Sequence, residues 1–409
     1  MLLQHMLRPL DKKSYEQPLS VSQYIEIEKW GNVTRDEWNN WYWQLKNTIK
    51  SPQELSEILL NASPYFRIAD YQVLDKVTDS FEMKLNPYLI ALIYHALKRG
   101  NREKANIFIN AFVPTLGEIE NINNGVDGIG EESSASKPAP LITNFYKNRV
   151  LFFVSNMCPA YCRYCFRRRK VGRQPHENSQ EDLRPEYIQQ SIQYIRNNKE
   201  IKEVIVSGGD PFILSDEKLL SILRELKEIE HVKVLRIDTK AFTTLPQRFT
   251  PEIIKELKEL KPLYIVGNFL HSVELTPEVV NATSLFIDEG IPVVSHTALL
   301  KGINDNADVI SELMWNLYMN RIIPYYLIQF IPTKWTEHFR VPIAKGLEIM
   351  KSLHGNLAGI ANPTYIVYLP NGAGKAPLLP NYLIEHTNEG YYFENYEGKK
   401  VLYKEPPQL

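Results

Sequence analysis

Two features of the sequence predict an α/β chain built on an open, partial (β/α)6 barrel of the TIM type. Six short β-rich runs lie between residues 149 and 330, and charged amphipathic stretches separate them. Before residue 140 the texture differs, with polar–apolar segments crowded by tryptophan and tyrosine that read as helices. Strand–helix alternation implies parallel β/α units. Six units suit an open barrel, not a closed eight-fold one, with the site on loops at the strands' C-terminal ends. The expected layout is a mostly helical N-terminal domain over 1–140, the barrel core over 141–350 and a C-terminal segment over 351–409.

In the first region Trp30, Trp38, Trp41, Tyr42 and Trp43 are best explained by helix packing. Ser51-Pro52-Gln53-Glu54 has a capping hydroxyl and an acid three residues on, which marks a helix start. The Gly/Ser/Asn-rich stretch 121–138 reads as a loop at a boundary. The predicted strands are RVLFFVS (149–155), EVIVSGGD (203–210), VKVLRID (232–238), LYIVGNFLHS (263–272), IPVVSHTALL (291–300) and IPYYLIQF (323–330). The predicted helices between and after them cover 185–198, 216–229, 251–260, 277–289 and 305–319.

At 409 residues and 47.5 kDa the chain can bury a large core. Its net charge of −1 gives no electrostatic reason to expect nucleic acid or a membrane surface as partner. No apolar run approaches the roughly 20 residues of a membrane span. The start, MLLQHMLRPLDKK, lacks the apolar core and cleavage site of an export signal, so a cytoplasmic location with reduced cysteines is expected.

All three cysteines fall within eight residues, Cys158, Cys162 and Cys165, spaced C-x3-C-x2-C. Buried structural cysteines should scatter, and an odd, clustered count suits no disulfide framework. A structural zinc site needs a fourth ligand, and the nearest histidine, His176, is eleven residues beyond Cys165. Three thiolates on one loop can hold three corners of a cubane iron–sulfur cluster and leave the fourth iron open for a ligand. The loop follows the first barrel strand, where this fold places its chemistry.

Two further motifs follow. Ser207-Gly208-Gly209-Asp210 ends the second strand; its glycines allow close backbone approach and Asp210 can accept from an amine, although a tight turn explains the same residues. Pro370-Asn371-Gly372-Ala373-Gly374-Lys375-Ala376-Pro377 lacks the Ser or Thr and the spacing of a phosphate-binding loop. Lys375 is then either a solvated surface lysine or the Schiff-base lysine of a pyridoxal phosphate (PLP) enzyme, with small residues beside it giving the ring and phosphate room.

The cysteine loop with Phe166-Arg167-Arg168-Arg169, then SGGD, LPQR (245–248), EHFR (337–340) and PNGAGKAPLLPNY together resemble the lysine 2,3-aminomutase family of radical S-adenosylmethionine (SAM) enzymes. The resemblance runs from about residue 144 to 382. It implies a 4Fe–4S cluster on the three cysteines, SAM gripped by Gly208, Gly209 and Asp210, PLP on Lys375, and migration of an amino group between C2 and C3 of an amino acid. It also implies an external one-electron reductant such as flavodoxin or ferredoxin, and a homo-oligomer, dimer or tetramer. Arg167 matches the residue that pairs with the substrate α-carboxylate, a planar anion suited to a guanidinium fork. Arg149 and Tyr146 match residues beside the PLP phosphate and ring, with Gly372 and Gly374 in the same loop. Arg163, Arg168 and Arg169 read as solvated or structurally paired cations.

The chain departs from the lysine-specific members at three places. Ile331 and Tyr368 stand where two aspartates would hold the distal ammonium of lysine, which disfavours lysine as substrate. Lys334 is close enough in sequence to meet an acidic side chain, so glutamate-like, neutral polar, aromatic and aliphatic substrates all stay open. The C-terminal cysteines of a structural zinc site are absent, so no structural zinc is expected. His296 replaces a polar amide near SAM and Phe145 an arginine near the PLP phosphate. Other readings are action on a protein-bound lysine, a decarboxylation or deamination from the same radical, and a cluster-bearing binding protein without turnover.

Overall fold

The computed structural model describes residue 24 and residues 26–64, 66, 71–119, 125, 127–172 and 183–405. A nine-stranded sheet in sequential order β1 to β9 dominates it. Strands β2 (Arg149–Ser155), β3 (Glu203–Gly208), β4 (Val234–Thr239), β5 (Leu263–Asn268), β6 (Val293–Ala298), β7 (Ile323–Ile328) and β8 (Thr364–Tyr368) are mutually parallel. Strands β1 (Ile142–Tyr146) and β9 (Lys375–Pro377) are antiparallel additions at the two edges. The sheet curls into a partial barrel that does not close.

The six predicted strands are β2 to β7. The structure adds a seventh parallel strand, β8, whose short TYIVY run lies beyond the last strand read from the sequence. The helices Pro185–Asn197, Asp216–Lys227, Pro251–Lys258, Pro277–Asp288 and Ala307–Met319 fall where the sequence places them. Each buries one apolar stripe on the sheet, as Leu219, Leu220, Leu223 and Leu226 do in the second. Alternation in β3 and β4 sends Val204, Val206, Leu235 and Ile237 into that packing, so the intervening positions face the barrel interior.

The N-terminal helices form a second core. Leu55, Leu89 and Phe108 pack there with Leu270, Leu300, Phe330 and Phe339 from the strand-end loops, so the helices sit across the mouth of the barrel. The helix start at Ser51 is present: its hydroxyl accepts the Glu54 N–H at 3.3 Å, and Pro52 occupies the first turn. Beyond β9, strands β10 (Leu383–Thr387), β11 (Gly390–Glu394) and β12 (Lys400–Tyr403) make a separate antiparallel sheet.

Candidate active site

The cysteine loop leaves β2 and is clamped from both sides. On the helical side, the Arg163 N–H donates to the Ala111 carbonyl at 2.8 Å and Tyr161 N–H to Lys84 O at 3.2 Å. Lys84 Nζ donates to the Cys158 carbonyl at 2.9 Å. Buried Glu118 accepts from Arg163 Nη2 at 2.7 Å and Arg168 Nη2 at 2.9 Å. Those two arginines are structural cations. On the barrel side, Asp210 N–H donates to Met157 O at 2.8 Å and Gly209 N–H to Ser155 O. A Cβ on Gly208 or Gly209 would run into the backbone of Ser155 or Met157. The two glycines thus seat strand end against cysteine loop.

The three cysteines are free thiols that line one cavity. Burial pushes all three thiols up, Cys162 to about 12. Thiolates here need a cation, which coordinated iron supplies by deprotonating the thiol outright. Among the described residues no group of three or more His, Cys, Asp or Glu is placed to hold a single metal ion. The trio fits a polynuclear cluster whose corners lie on different irons.

Lys375 enters the same cavity from the opposite edge of the sheet. It opens β9 and pairs with Tyr368 at the end of β8. Its N–H donates to the Tyr146 hydroxyl at 2.8 Å. Gly374 has φ +84° and a Cβ there would lie 2.9 Å from the same hydroxyl oxygen. Gly372, at φ +73°, sends its N–H to the Ile129 carbonyl at 2.8 Å. Neither glycine lines the cavity; both let the lysine loop pack against residues 129–146. The Lys375 ammonium lies 4.7 Å from the Tyr326 ring centroid and 4.9 Å from that of Tyr368. Burial, then the cations Arg236, Arg149 and Arg167, bring its pKa down to about 8 against the opposing pull of Asp238. A half-buried, desolvated lysine with a depressed pKa is a competent amine nucleophile for a carbonyl cofactor.

Between thiols and amine lie most of the other residues named from the sequence. The Arg149 guanidinium stacks 3.7 Å from the Tyr146 ring centroid. Asp210 lines the cavity, yet its oxygens already accept from Phe212 N–H (3.0 Å), Thr239 Oγ1 (2.9 Å) and Lys240 N–H (2.8 Å). Burial still raises it to about 6. His296 stacks on Tyr325 and Tyr326, and its Nε2 is buried without a partner. Burial, with Lys375 and Arg236 nearby, pushes this imidazole well below its ordinary value and keeps it neutral. Ile331 and Tyr368 line the cavity; Lys334 does not, its ammonium resting 4.5 Å over the Trp335 ring.

Three cavity residues escaped the sequence reading. Glu131 lies in the segment taken for a boundary loop, yet it is 1 % exposed and accepts from Arg167 Nε (2.8 Å) and Nη2 (2.6 Å). Burial opposes its ionisation, but Arg167, Lys170 and Arg169 outweigh that and hold it at about 2. Arg236 and Asp238 project inward from β4, with Arg236 Nε 3.6 Å from Asp238 Oδ1. Alternation of charged Arg236 and Asp238 with Leu235 and Ile237 was the available signal, since a buried barrel strand has little other use for charge.

A curled parallel sheet with a three-cysteine loop after its first parallel strand defines a radical SAM protein, and the comparisons agree. A model of the radical SAM superfamily matches residues 152–313, and one for lysine-2,3-aminomutase matches residues 350–409. L-lysine 2,3-aminomutase of Fusobacterium nucleatum is 36% identical over 379 residues, 92% of this chain and 84% of that protein. Glutamate 2,3-aminomutase of Clostridioides difficile is 37% identical over 378 residues, 92% of this chain and 85% of that protein. L-lysine 2,3-aminomutase of Methanococcus maripaludis is 38% identical over 375 residues, 92% and 83% of the respective chains. The chain belongs to the lysine 2,3-aminomutase family of radical SAM enzymes. It is an isomerase whose substrate is a small-molecule amino acid, and a 4Fe–4S cluster and SAM are its cofactors. No helix among the described residues is long and apolar enough to cross a membrane.

Proposed function

We propose that the chain is a PLP-dependent 2,3-aminomutase that converts an L-α-amino acid other than lysine to its β-isomer by 1,2-amino migration. The observation that carries this reading is the entry of Lys375 into the cavity lined by the three cysteines. PLP on Lys375 would hold the substrate nitrogen, with Arg149 and Tyr146 beside the cofactor and Arg167 at the α-carboxylate. His296 Nε2, buried and unpartnered, is a polar atom available to SAM or PLP. When bound, PLP would supply a conjugated π-system at the migrating nitrogen through which a radical 1,2-shift can pass. The chain's own tasks are to orient the amino acid and keep water from a reactive centre.

Lysine is disfavoured because Ile331 and Tyr368 give its distal ammonium no carboxylate. Asp238, the cavity carboxylate on β4, is engaged by Arg236. A buried ammonium without a partner costs several kcal/mol, roughly a thousandfold in affinity. A reductant of the flavodoxin or ferredoxin class, a cytoplasmic location and a homo-oligomer belong to the same proposal and rest on the family resemblance.

The test is an anaerobic panel of free amino acids with PLP, SAM and dithionite, read by mass spectrometry for β-isomers and 5′-deoxyadenosine. One non-lysine amino acid should give both products. Turnover of lysine above all others would overturn the substrate reading, and absence of any β-isomer would overturn the isomerase reading.

A further inference from the structure

We infer that Glu131 is the positioning residue for the substrate carboxylate. It fixes Arg167 so that two of its N–H groups face the cavity, and its strap ties that fork to the Lys375 loop. The inference rests on the proposed reading of Arg167 and Lys375.

The donor inventory makes the case. A guanidinium has five N–H donors. In Arg167, Nε–H and one Nη2–H go to Glu131 Oε1, and one Nη1–H goes to Ser207 Oγ at 3.3 Å. That leaves one Nη1–H and one Nη2–H, one from each terminal nitrogen, without a protein acceptor among the described residues. Two N–H groups on adjacent nitrogens match a carboxylate bidentately. Both residues line the cavity, but Glu131 is 1 % exposed and its two oxygens are taken by Arg167 and Arg169, so the free pair on Arg167 is the part an amino acid can reach. Glu131 cannot swing away readily, since Arg169 Nη2 holds its other oxygen at 2.9 Å.

The strap extends the effect. Gly130, directly before Glu131, has φ +81°, and a Cβ there would lie 2.6 Å from the Gly372 nitrogen. On its other side Ile129 O accepts the Gly372 N–H at 2.8 Å. Asp127 closes the strap on itself by accepting from Gly130 N–H at 3.0 Å and Glu132 N–H at 2.8 Å. One short segment therefore sets the carboxylate fork and the lysine loop relative to each other. A 1,2-shift needs that relation, because the carboxylate anchor and the nitrogen anchor together fix where C3 lies.

The experiment uses cluster- and PLP-loaded protein with the amino acid identified by the panel and with its carboxamide, which lacks the anionic group. Binding is read from the change in PLP absorbance on adding either compound, without reductant, for wild type, E131Q and E131D. In wild type the acid should bind far better than the amide. In E131Q the acid should weaken about 10- to 100-fold with the amide nearly unchanged, and E131D should recover part of the preference. Equal weakening of acid and amide would show a structural role only and overturn the inference. So would tighter acid binding in E131Q, the outcome if Glu131 merely competes for Arg167. If E131Q fails to load PLP, E131D carries the test by the same acid-to-amide ratio. A wild type that responds to no amino acid would instead sink the underlying functional reading.

Discussion

Capture of PLP by Lys375 should follow an ionisation near pH 8. Burial and the flanking arginines hold this ammonium at about 8 instead of 10.5. That difference corresponds to about 3 kcal/mol favouring the free amine. At pH 7 roughly one molecule in ten carries the nucleophilic amine, against about one in three thousand for an ordinary lysine. In the apo-protein, the rate of PLP capture, followed by stopped-flow absorbance and fixed with borohydride, should rise about tenfold per pH unit to pH 8 and flatten above. K375A should give no fixed adduct. R236Q removes the cation that depresses this lysine most after burial itself and should move the midpoint upward. The same shift bears on stability. A lysine with a depressed folded pKa contributes stability that is present above 10.5 and is lost as pH falls through about 8. Apo K375M, with no charge to bury, should lose that part of the pH dependence. A capture rate that climbs without inflection through pH 10 would refute the electrostatic reasoning.

Removing the carboxylate from the buried Glu118–Arg163–Arg168 cluster by E118Q should cost about 3–5 kcal/mol in denaturant unfolding and lower iron retention, because the cysteine loop loses its clamp. Unchanged stability would contradict the clamp. G374A forces a side chain onto a residue at φ +84° and against the Tyr146 hydroxyl, so about 1–3 kcal/mol of stability and most PLP loading should be lost. Normal loading would remove the seating role given to that glycine. The double variant I331D/Y368D places two carboxylates in the cavity wall and should improve lysine binding about tenfold or more, read by the PLP absorbance change. No gain would mean that these positions do not meet the substrate's distal end.

The fold was legible because its signals are local. Alternating apolar runs such as EVIVSG and amphipathic stretches such as DEKLLSILRELK state their period directly. Strand β8 was missed because five residues ending before a loop carry too little periodicity to stand out. The cysteines and Lys375 were legible because their chemistry needs those residue types at those spacings. Glu131 was not, since its role exists only once residues 36 apart in the chain meet. Its Gly/Ser/Asn-rich surroundings read as a boundary loop, whereas Gly130 there lets the strap lie close against the Lys375 loop. Gly208, Gly209, Gly372 and Gly374 were read as making room for ligands. Gly208 and Gly209 line the cavity while also seating backbone on backbone; Gly372 and Gly374 do not line it and let the lysine loop pack against residues 129–146, a distinction that no single sequence encodes. Lys334 looked near the site by number, yet it does not line the cavity and its ammonium rests over the Trp335 ring.

The most direct test is to reconstitute the protein anaerobically, count iron and record the electron paramagnetic resonance spectrum of the reduced cluster with and without SAM. Three cysteine ligands and one open iron predict about four irons per chain and a spectrum that changes when SAM is added. C158S, C162S and C165S should each lose iron. Trace iron in the wild type, or a cluster signal indifferent to SAM, would contradict the account at its base.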